Sequence, residues 1–294
     1  MTKHRNLPFH PAPSKPALQL PPGACDSHCH VFGPAEKFPF SAASSYLPVD
    51  APAEVLAQRH AFLGFDRAVI VQASCHGTDN RAMLDALAKV GDSRRGVAIV
   101  DADIADDALH AFDLAGVRGV RFNLVQRLGA RQSPETYSAI TARIAPLGWH
   151  VVLHLDAEDI ASVTPFLKSM PVPIVIDHMA RIPAGDGIAG AHFAAVARLL
   201  EDDKFWIKLS GSERLSASGP PYDDMLPLAR ALYAAAPDRA LWGTDWPHPN
   251  MDHITDDGLL VDRLAQIAPD EVALTRLLVD NPHRLYWQDG GPHG

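Results

Sequence analysis

Short apolar runs alternate with amphipathic stretches along most of this chain. Eight runs have the length of a buried strand, and they are residues 24–30, 67–73, 96–101, 117–123, 150–155, 173–178, 205–210 and 239–245. Helix-like stretches lie between them at 78–91, 134–146, 157–169, 189–202, 222–236 and 257–279, some of which begin with Thr, Asp or Ser in the manner of an N-cap. Alternation at this spacing predicts parallel strands joined by helices.

The count of eight runs predicts an α/β fold, a closed (β/α)8 barrel of the TIM type. Apolar runs that are covered on both faces suit an all-parallel sheet, and eight units in about 250 residues suit a barrel. An open doubly wound sheet is the rival fold, but no Gly-x-Gly-x-x-Gly follows any run. We therefore predict a single barrel domain over 23–287, a Pro-rich N-terminal arm over 1–22 and a C-terminal tail over 288–294.

Composition narrows the class of protein. The chain has 294 residues, of which 47% are hydrophobic, so it can bury a large core. Its apolar runs are shorter than the ~20 residues of a membrane-spanning helix, and its first residues do not resemble a signal peptide. Its three cysteines cannot all form disulfides, which suits a reducing compartment. We therefore expect a soluble cytoplasmic protein. A formal net charge of -9 disfavours nucleic acid and membrane as partners. We expect the arm to lie on the surface or to reach a neighbouring subunit of a homo-oligomer, and we assign it no chemistry.

Potential metal ligands stand at the C-terminal ends of the predicted strands. His28 and His30 end the first strand, His154 the fifth, His178 the sixth and Asp245 the eighth. Residues i and i+2 of a strand point the same way, and the C-terminal ends of barrel strands meet at the mouth where barrel active sites lie. Four imidazoles and a carboxylate suit Zn²⁺ or a similar divalent ion. The pattern predicts a hydrolase metal site, although histidines also fill barrel mouths as hydrogen-bonded core residues.

Three longer motifs resemble the amidohydrolase superfamily, whose barrels carry His-x-His on strand one, histidines on strands five and six, and an aspartate on strand eight. The motifs are ACDSHCHVFGP at 24–34, QASCHGTDN at 72–80 and GTDWPHPNM at 243–251. They look like the 2-pyrone-4,6-dicarboxylate lactonase and sulfomuconolactone hydrolase branch, and the resemblance extends over 24–287. It implies an amidohydrolase-like barrel that acts as a lactonase, a carboxylic-ester hydrolase opening a small dianionic lactone from bacterial degradation of aromatic compounds.

One position departs from part of that branch. The pyrone dicarboxylate lactonases carry a tyrosine where this chain has His154 and are regarded as metal-free, whereas the sulfomuconolactone hydrolases are, by resemblance, zinc-dependent. We therefore expect Zn²⁺ or another divalent metal, no organic cofactor, and a sulfo- or carboxy-substituted muconolactone as substrate. Two alternatives stay open. One is a metal-independent 2-pyrone-4,6-dicarboxylate lactonase in which His154 only donates a hydrogen bond to the substrate, and the other is a metal-dependent decarboxylase.

The expected chemistry gives the ligands their roles. A bound metal lowers the pKa of its water to about 7 and polarises a carbonyl. The predicted ligands are His28, His30, His154, His178 and Asp245. Asp245 is also the candidate general base. His178 is a second catalytic candidate, because it could stabilise the oxyanion instead of binding the metal.

Arginines and hydroxyl groups are candidates for binding the dianionic substrate. Arg121, Arg127 and Arg214 match family arginines by motif, and a guanidinium offers a planar donor fork to a carboxylate or sulfonate. The same motifs add Tyr46, Ser74, His76 and Thr78. The alternatives are ion-paired arginines at the barrel mouth and Ser or Thr side chains that cap the following helix. The loop 31–50 is long enough to form a lid over the site.

Overall fold

Eight parallel strands form the predicted barrel in the computed structural model, which describes residues 4–125 and 132–287. The described residues contain ten strands: β1 His4–Arg5, β2 Cys25–Cys29, β3 Tyr46–Leu47, β4 Arg67–Val71, β5 Arg94–Ala98, β6 Val117–Asn123, β7 His150–His154, β8 Ile174–Ile176, β9 Phe205–Lys208 and β10 Ala240–Leu241. Strands β1 and β3 form a separate two-stranded sheet, and the other eight form the barrel. The barrel sheet has the order β2, β4, β5, β6, β7, β8, β9, β10, and each neighbouring pair is parallel. The (β/α)8 prediction is therefore confirmed.

The barrel closes where β2 meets the segment that follows β10. The Asp245 amide donates to the His28 carbonyl over 2.8 Å, and the His30 amide donates to the Trp246 carbonyl over 2.8 Å. A Cβ added at Gly243 would lie 2.4 Å from the backbone nitrogen of His28, so only glycine permits this approach. The seam thus brings the His-x-His pair and Asp245 to the same edge.

Helices surround the barrel. The α-helices of the described residues are α1 Ala53–Leu63, α2 Arg81–Val90, α3 Asp106–Leu114, α4 Pro134–Ile144, α5 Ile160–Ser169, α6 Ala191–Leu199, α7 Ser212–Leu215, α8 Leu226–Ala235, α9 Asp257–Ile267 and α10 Glu271–Thr275. Short π-helical segments follow at Arg276–Asp280 and His283–Trp287. None of the described helices has the length and apolar character that spanning a membrane requires.

One helix prediction needs correction, and two helices were not predicted. The single helix expected over 257–279 is divided between α9 and α10, because Pro269 cannot continue a helix and the Asp270 carboxylate accepts from the Ala273 amide over 2.8 Å as a new N-cap. Helices α1 and α3 were not predicted. Only Leu109 of α3 is buried, so this helix lacks the apolar stripe on which periodicity depends.

The end of the described chain closes the barrel interior. Tyr286 is fully buried against the inward-facing apolar residues of the strands, among them Cys25 and Val175. The Asn281 amide donates to the carbonyls of Pro237 and Ala240, each over 2.8 Å. This segment therefore has a structural role at the barrel.

Candidate active site

The predicted ligands converge at the C-terminal ends of the strands. His28 and His30 lie at the end of β2, His154 ends β7, His178 follows β8 and Asp245 follows β10, and all five are at most 6% exposed. A cavity opens above them. It is lined by His30, Tyr46, Ala73, Ser74, Ile99, Arg121, Asn123, His154, His178, Arg181, Arg214, Asp245, Pro249 and Asn250. Barrel enzymes carry their active sites at this end.

Asp245 is the centre of the cluster. Its Oδ1 lies 3.1 Å from His30 Nε2, 3.5 Å from His28 Nε2 and 4.0 Å from His178 Nε2. Its Oδ2 accepts from Nε of Arg214, whose Nη2 also contacts it. Burial raises the pKa of Asp245, but the Arg214 guanidinium and the imidazoles outweigh that effect and hold this pKa well below its usual range. Asp245 is therefore an ionised carboxylate that can act as a base.

The hydrogen-bond partner of His30 shows which of its nitrogens carries the proton. Its Nδ1 lies 2.7 Å from the Val71 carbonyl, which can only accept, so Nδ1 is the donor. In the neutral ring the lone pair of Nε2 then faces Asp245 Oδ1 across 3.1 Å. Two acceptors at this distance need a proton or a cation between them. The pair is thus suited to a polarised water or a metal ion.

His154 also faces the cavity, but its proton lies on the other ring nitrogen from that of His30. Its Nδ1 lies 3.4 Å from Arg121 Nη2, and a guanidinium can only donate, so the proton of the neutral ring lies on Nε2. Burial, and secondarily Arg121, lowers the pKa of His154 well below its usual value, which keeps the ring neutral. Within the described residues, Nε2 has no hydrogen-bond partner. In this geometry His154 offers a donor to the cavity.

A buried lysine and a buried aspartate lie beneath the histidines. Lys208 Nζ is 3.1 Å from Asp177 Oδ1 and 3.0 Å from His28 Nδ1, and all three side chains are fully buried. Burial raises the pKa of Asp177, but Lys208 and His28 hold it well below its usual range. Burial, reinforced by Lys208, lowers the pKa of His28 to about 4. Sequence reasoning missed Lys208 and Asp177, although a lysine inside an apolar strand was a usable signal because it must find a partner.

The turn after β8 carries one predicted and one unpredicted residue. His178, Met179, Ala180 and Arg181 all have φ between 50° and 55°, a left-handed region that costs a non-glycine residue about 1–2 kcal/mol. The turn directs both His178 and Arg181 to the cavity. His178 Nδ1 lies 3.0 Å from the Ser210 hydroxyl, and Arg181 Nε donates to Asp156 over 2.6 Å. Such strain at a cavity is typical of functional sites.

The predicted substrate contacts divide into two groups. Arg121, Arg214, Tyr46 and Ser74 line the cavity, and so do Asn123 and Asn250, which were not predicted. The structure does not place His76 and Thr78 on the lining, because the chain turns away in the 3₁₀ segment that starts at Ser74. His76 Nε2 accepts from the Gly33 amide over 3.3 Å beneath the 31–50 loop, and Thr78 is exposed. Arg127 lies outside the described residues and stays a prediction.

Part of the predicted ligand set has the geometry of a metal site. Among the described residues, His28, His178 and Asp245 each offer one ligand atom within 4.8 Å of the others. Two imidazoles and a carboxylate suit Zn²⁺, and Nε2 of His28 is buried without a hydrogen-bond partner there. His154 does not join this group, because it offers no ligand atom within 4.8 Å of all three. A divalent ion would therefore be held by these three side chains, with His30 facing the same carboxylate oxygen.

Comparison with known proteins shows the family to which the chain belongs. Residues 25–287 match the amidohydrolase family, and the chain belongs to it. It is 46% identical to the 2-pyrone-4,6-dicarboxylate hydrolase of Comamonas testosteroni over 96% of each chain. It is 35% identical to the 4-sulfomuconolactone hydrolase of Hydrogenophaga intermedia over 92% of this chain and 90% of that one.

A solved structure from Acinetobacter baumannii agrees with this assignment. It is described as a probable 2-pyrone-4,6-dicarboxylic acid hydrolase with citric acid bound. It is 26% identical, has a TM-score of 0.79, and the alignment covers 90% of this chain and 99% of that one. The resemblance to this branch, and the expectation of a lactone-hydrolysing enzyme of the amidohydrolase superfamily, are confirmed.

Proposed function

We propose that this chain opens the ring of a small lactone bearing two carboxylates, of the 2-pyrone-4,6-dicarboxylate kind. The observation that carries the proposal is the buried, ionised Asp245 in a cavity whose walls hold three guanidinium groups, those of Arg121, Arg181 and Arg214. Each of these arginines uses part of its five-donor fork for a protein partner and has further donors for a carboxylate. A base surrounded by cations suits hydrolysis of an anionic ester.

The relatives favour the pyrone over the muconolactone that we expected from the sequence. Identity is 46% to the pyrone dicarboxylate hydrolase and 35% to the sulfomuconolactone hydrolase. The main argument for the muconolactone was a metal-ligating His154, and Arg121 instead gives that ring the role of a donor. We therefore place the muconolactone second.

The residues of the cavity have complementary roles in the proposed reaction. Asp245 removes a proton from water, and the water oxygen bonds to the lactone carbonyl carbon. The Nε2 proton of His154 stabilises the developing oxyanion. The ring C–O bond then breaks, and Asp245 returns its proton to the leaving enol oxygen. The new carboxylic acid ionises at neutral pH, so one proton is released in each turnover.

Parallel assays on the two lactones test this proposal. We expect loss of 2-pyrone-4,6-dicarboxylate absorbance with stoichiometric base uptake at constant pH, and weaker turnover of 4-sulfomuconolactone. Asp245→Asn should lower kcat by about 10³-fold, the range of a lost general base, whereas Asp107→Asn at an exposed position serves as the matched control. Inertness toward both lactones would refute the proposal, and release of carbon dioxide without base uptake would support a decarboxylase.

A metal-dependent version is the second candidate, and the geometry of His28, His178 and Asp245 is the observation that favours it. When bound there, a divalent ion supplies a polarised carbonyl and a more acidic water. The test is the metal content of protein purified without chelator, together with activity after chelation and after zinc is restored. His154→Tyr distinguishes the roles of that residue further. A donor role predicts activity within tenfold of wild type and an unchanged metal content, whereas a ligand role predicts loss of both.

A further inference from the structure

The N-terminal arm joins the two segments that form one side of the cavity. Strand β1 pairs in parallel with β3, with His4 opposite Tyr46. The next residue, Asn6, donates its amide N–H to the Leu47 carbonyl over 2.9 Å. Its side-chain Oδ1 accepts from the Asn250 amide over 3.1 Å. Tyr46 and Asn250 both line the cavity, so one residue of the arm connects two of its walls.

Asn6 occupies an interior position although the arm runs along the outside of the barrel. It is 5% exposed, and the neighbouring Leu7 is 40% exposed. Three residues further on, the ring of Phe9 lies 5.0 Å from the ring of Trp246, in the same loop as Asn250. The first part of the arm therefore packs on the cavity loops themselves.

Within the described part of the chain, the middle of the arm is hydrogen-bonded to helix α9 and not to the cavity loops. The Ser14 hydroxyl donates to Asp256 over 2.6 Å, and the Ser14 amide donates to the same carboxylate over 3.0 Å. Farther along, the Asp262 carboxylate accepts from the amides of Ala17 and Leu18, over 2.8 and 2.9 Å. These contacts lie at the start and in the middle of α9, and none of these residues lines the cavity. The arm is thus held at the cavity by Asn6 and, independently, at α9 by Ser14, Ala17 and Leu18.

The cavity loop that Asn6 holds has a strained backbone. Asp245, His248 and Asn250 have φ values of 61°, 61° and 60°, which residues other than glycine rarely adopt. Such conformations persist only when surrounding contacts hold them. The Asn250 amide has Asn6 Oδ1 as its acceptor, so removing that oxygen leaves a strained cavity residue without this contact.

We propose that Asn6 is a positioning residue for the substrate cavity, which it serves by fixing the Asn250 loop against the strand that carries Tyr46. The inference rests on the proposed function in one respect, namely that the substrate binds between these walls. Sequence patterns assign no chemistry to the arm, because its proline-rich composition shows no periodicity. Its role follows from the pairing of β1 with β3 and from the buried side chain of Asn6.

Three variants test the proposal. Asn6→Leu removes the acceptor at similar size, Asn6→Asp keeps it, and Ser14→Ala loosens the arm only at α9. We expect Asn6→Leu to raise KM for the lactone about tenfold, the scale of one lost hydrogen bond, with kcat within threefold of wild type. Asn6→Asp and Ser14→Ala should keep KM within twofold. Hydrogen exchange measured by mass spectrometry should accelerate in 44–47 and 248–252 for Asn6→Leu alone.

The outcomes separate this inference from the proposed function. If wild type opens neither lactone, the proposed function fails, and hydrogen exchange in the two segments decides the inference without any substrate. A lower melting temperature for Asn6→Leu with unchanged exchange in 44–47 and 248–252 would overturn it. Equal changes in KM for Asn6→Leu and Ser14→Ala would also overturn it, because the arm would then act only through general stability.

Discussion

Replacing Lys208 by methionine should destabilise the fold strongly, because the change leaves a buried carboxylate without its nearest cation. Lys208 and Asp177 are fully buried, and Lys208 Nζ lies 3.1 Å from Asp177 Oδ1. Methionine matches the length of the lysine stem but carries no charge. Among the described residues, Arg121 is a second cation near Asp177, and its Nη2 lies 3.4 Å from Oδ2.

The distances set the scale of the effect. At an effective dielectric constant of about 20, two unit charges 3.1 Å apart attract each other by about 5 kcal/mol. Removing one member of a buried ion pair costs about 3–5 kcal/mol, because the other charge stays desolvated. Since Arg121 still neutralises part of Asp177, we expect a loss near 3 kcal/mol in the free energy of unfolding. This corresponds to a fall of about 6–12 °C in melting temperature.

Urea unfolding at pH 7 measures this loss. Lys168→Met at an exposed position is the matched control and should change the free energy of unfolding by less than about 0.5 kcal/mol. Lys208→Met combined with Asp177→Asn should recover part of the stability, because the buried charge is then removed as well. A loss below about 1 kcal/mol for Lys208→Met, or no recovery in the double variant, would refute the reasoning.

Three further predictions concern other parts of the molecule. Burial, with a smaller effect of Lys208, lowers the pKa of His150 to about 3. Below pH ~6.5 the unfolded chain therefore binds a proton at this residue that the folded chain does not, and the free energy of unfolding decreases as the pH is lowered. His150→Leu should reduce that slope by up to about 1.4 kcal/mol per pH unit between pH 6 and 4, and an identical slope would contradict this. Arg214→Gln removes the main cation at Asp245, so the acid limb of the kcat/KM profile should move to higher pH, with partial return in Arg214→Lys. Gly243→Ala should prevent folding or cost more than about 3 kcal/mol in chemical unfolding, because its Cβ would lie 2.4 Å from a backbone nitrogen, whereas Gly185→Ala has no atom within 4 Å and should be tolerated.

The sequence predicted those parts of the site that depend on strand position. The alternation of apolar runs indicated eight parallel strands, and residues at strand ends must then meet at one mouth. His28, His154 and Asp245 were predicted in this way. Each lies at, or within four residues of, the end of a strand. Periodicity was sufficient here because the barrel repeats one unit whose geometry is known in advance.

The unpredicted residues depend on contacts that a pattern does not contain. Lys208 lies within an apolar strand, and its role arises from Asp177, which directly follows the neighbouring strand. Arg181 reaches the cavity through a left-handed turn of non-glycine residues, which no local preference indicates. Arg121 determines which nitrogen of His154 is protonated, and that required the relative position of two side chains on adjacent strands.

The seam between β2 and the segment after β10 has a consequence for how this enzyme matures. The His-x-His pair comes from the first strand of the barrel and Asp245 from the segment after the last one, and backbone hydrogen bonds between the two hold them together. Contacts between residues more than 200 positions apart carry a large loop-closure entropy and form late in folding. While that seam is open, His28 and His30 do not lie beside Asp245, so we expect the candidate site to assemble only when the barrel is complete.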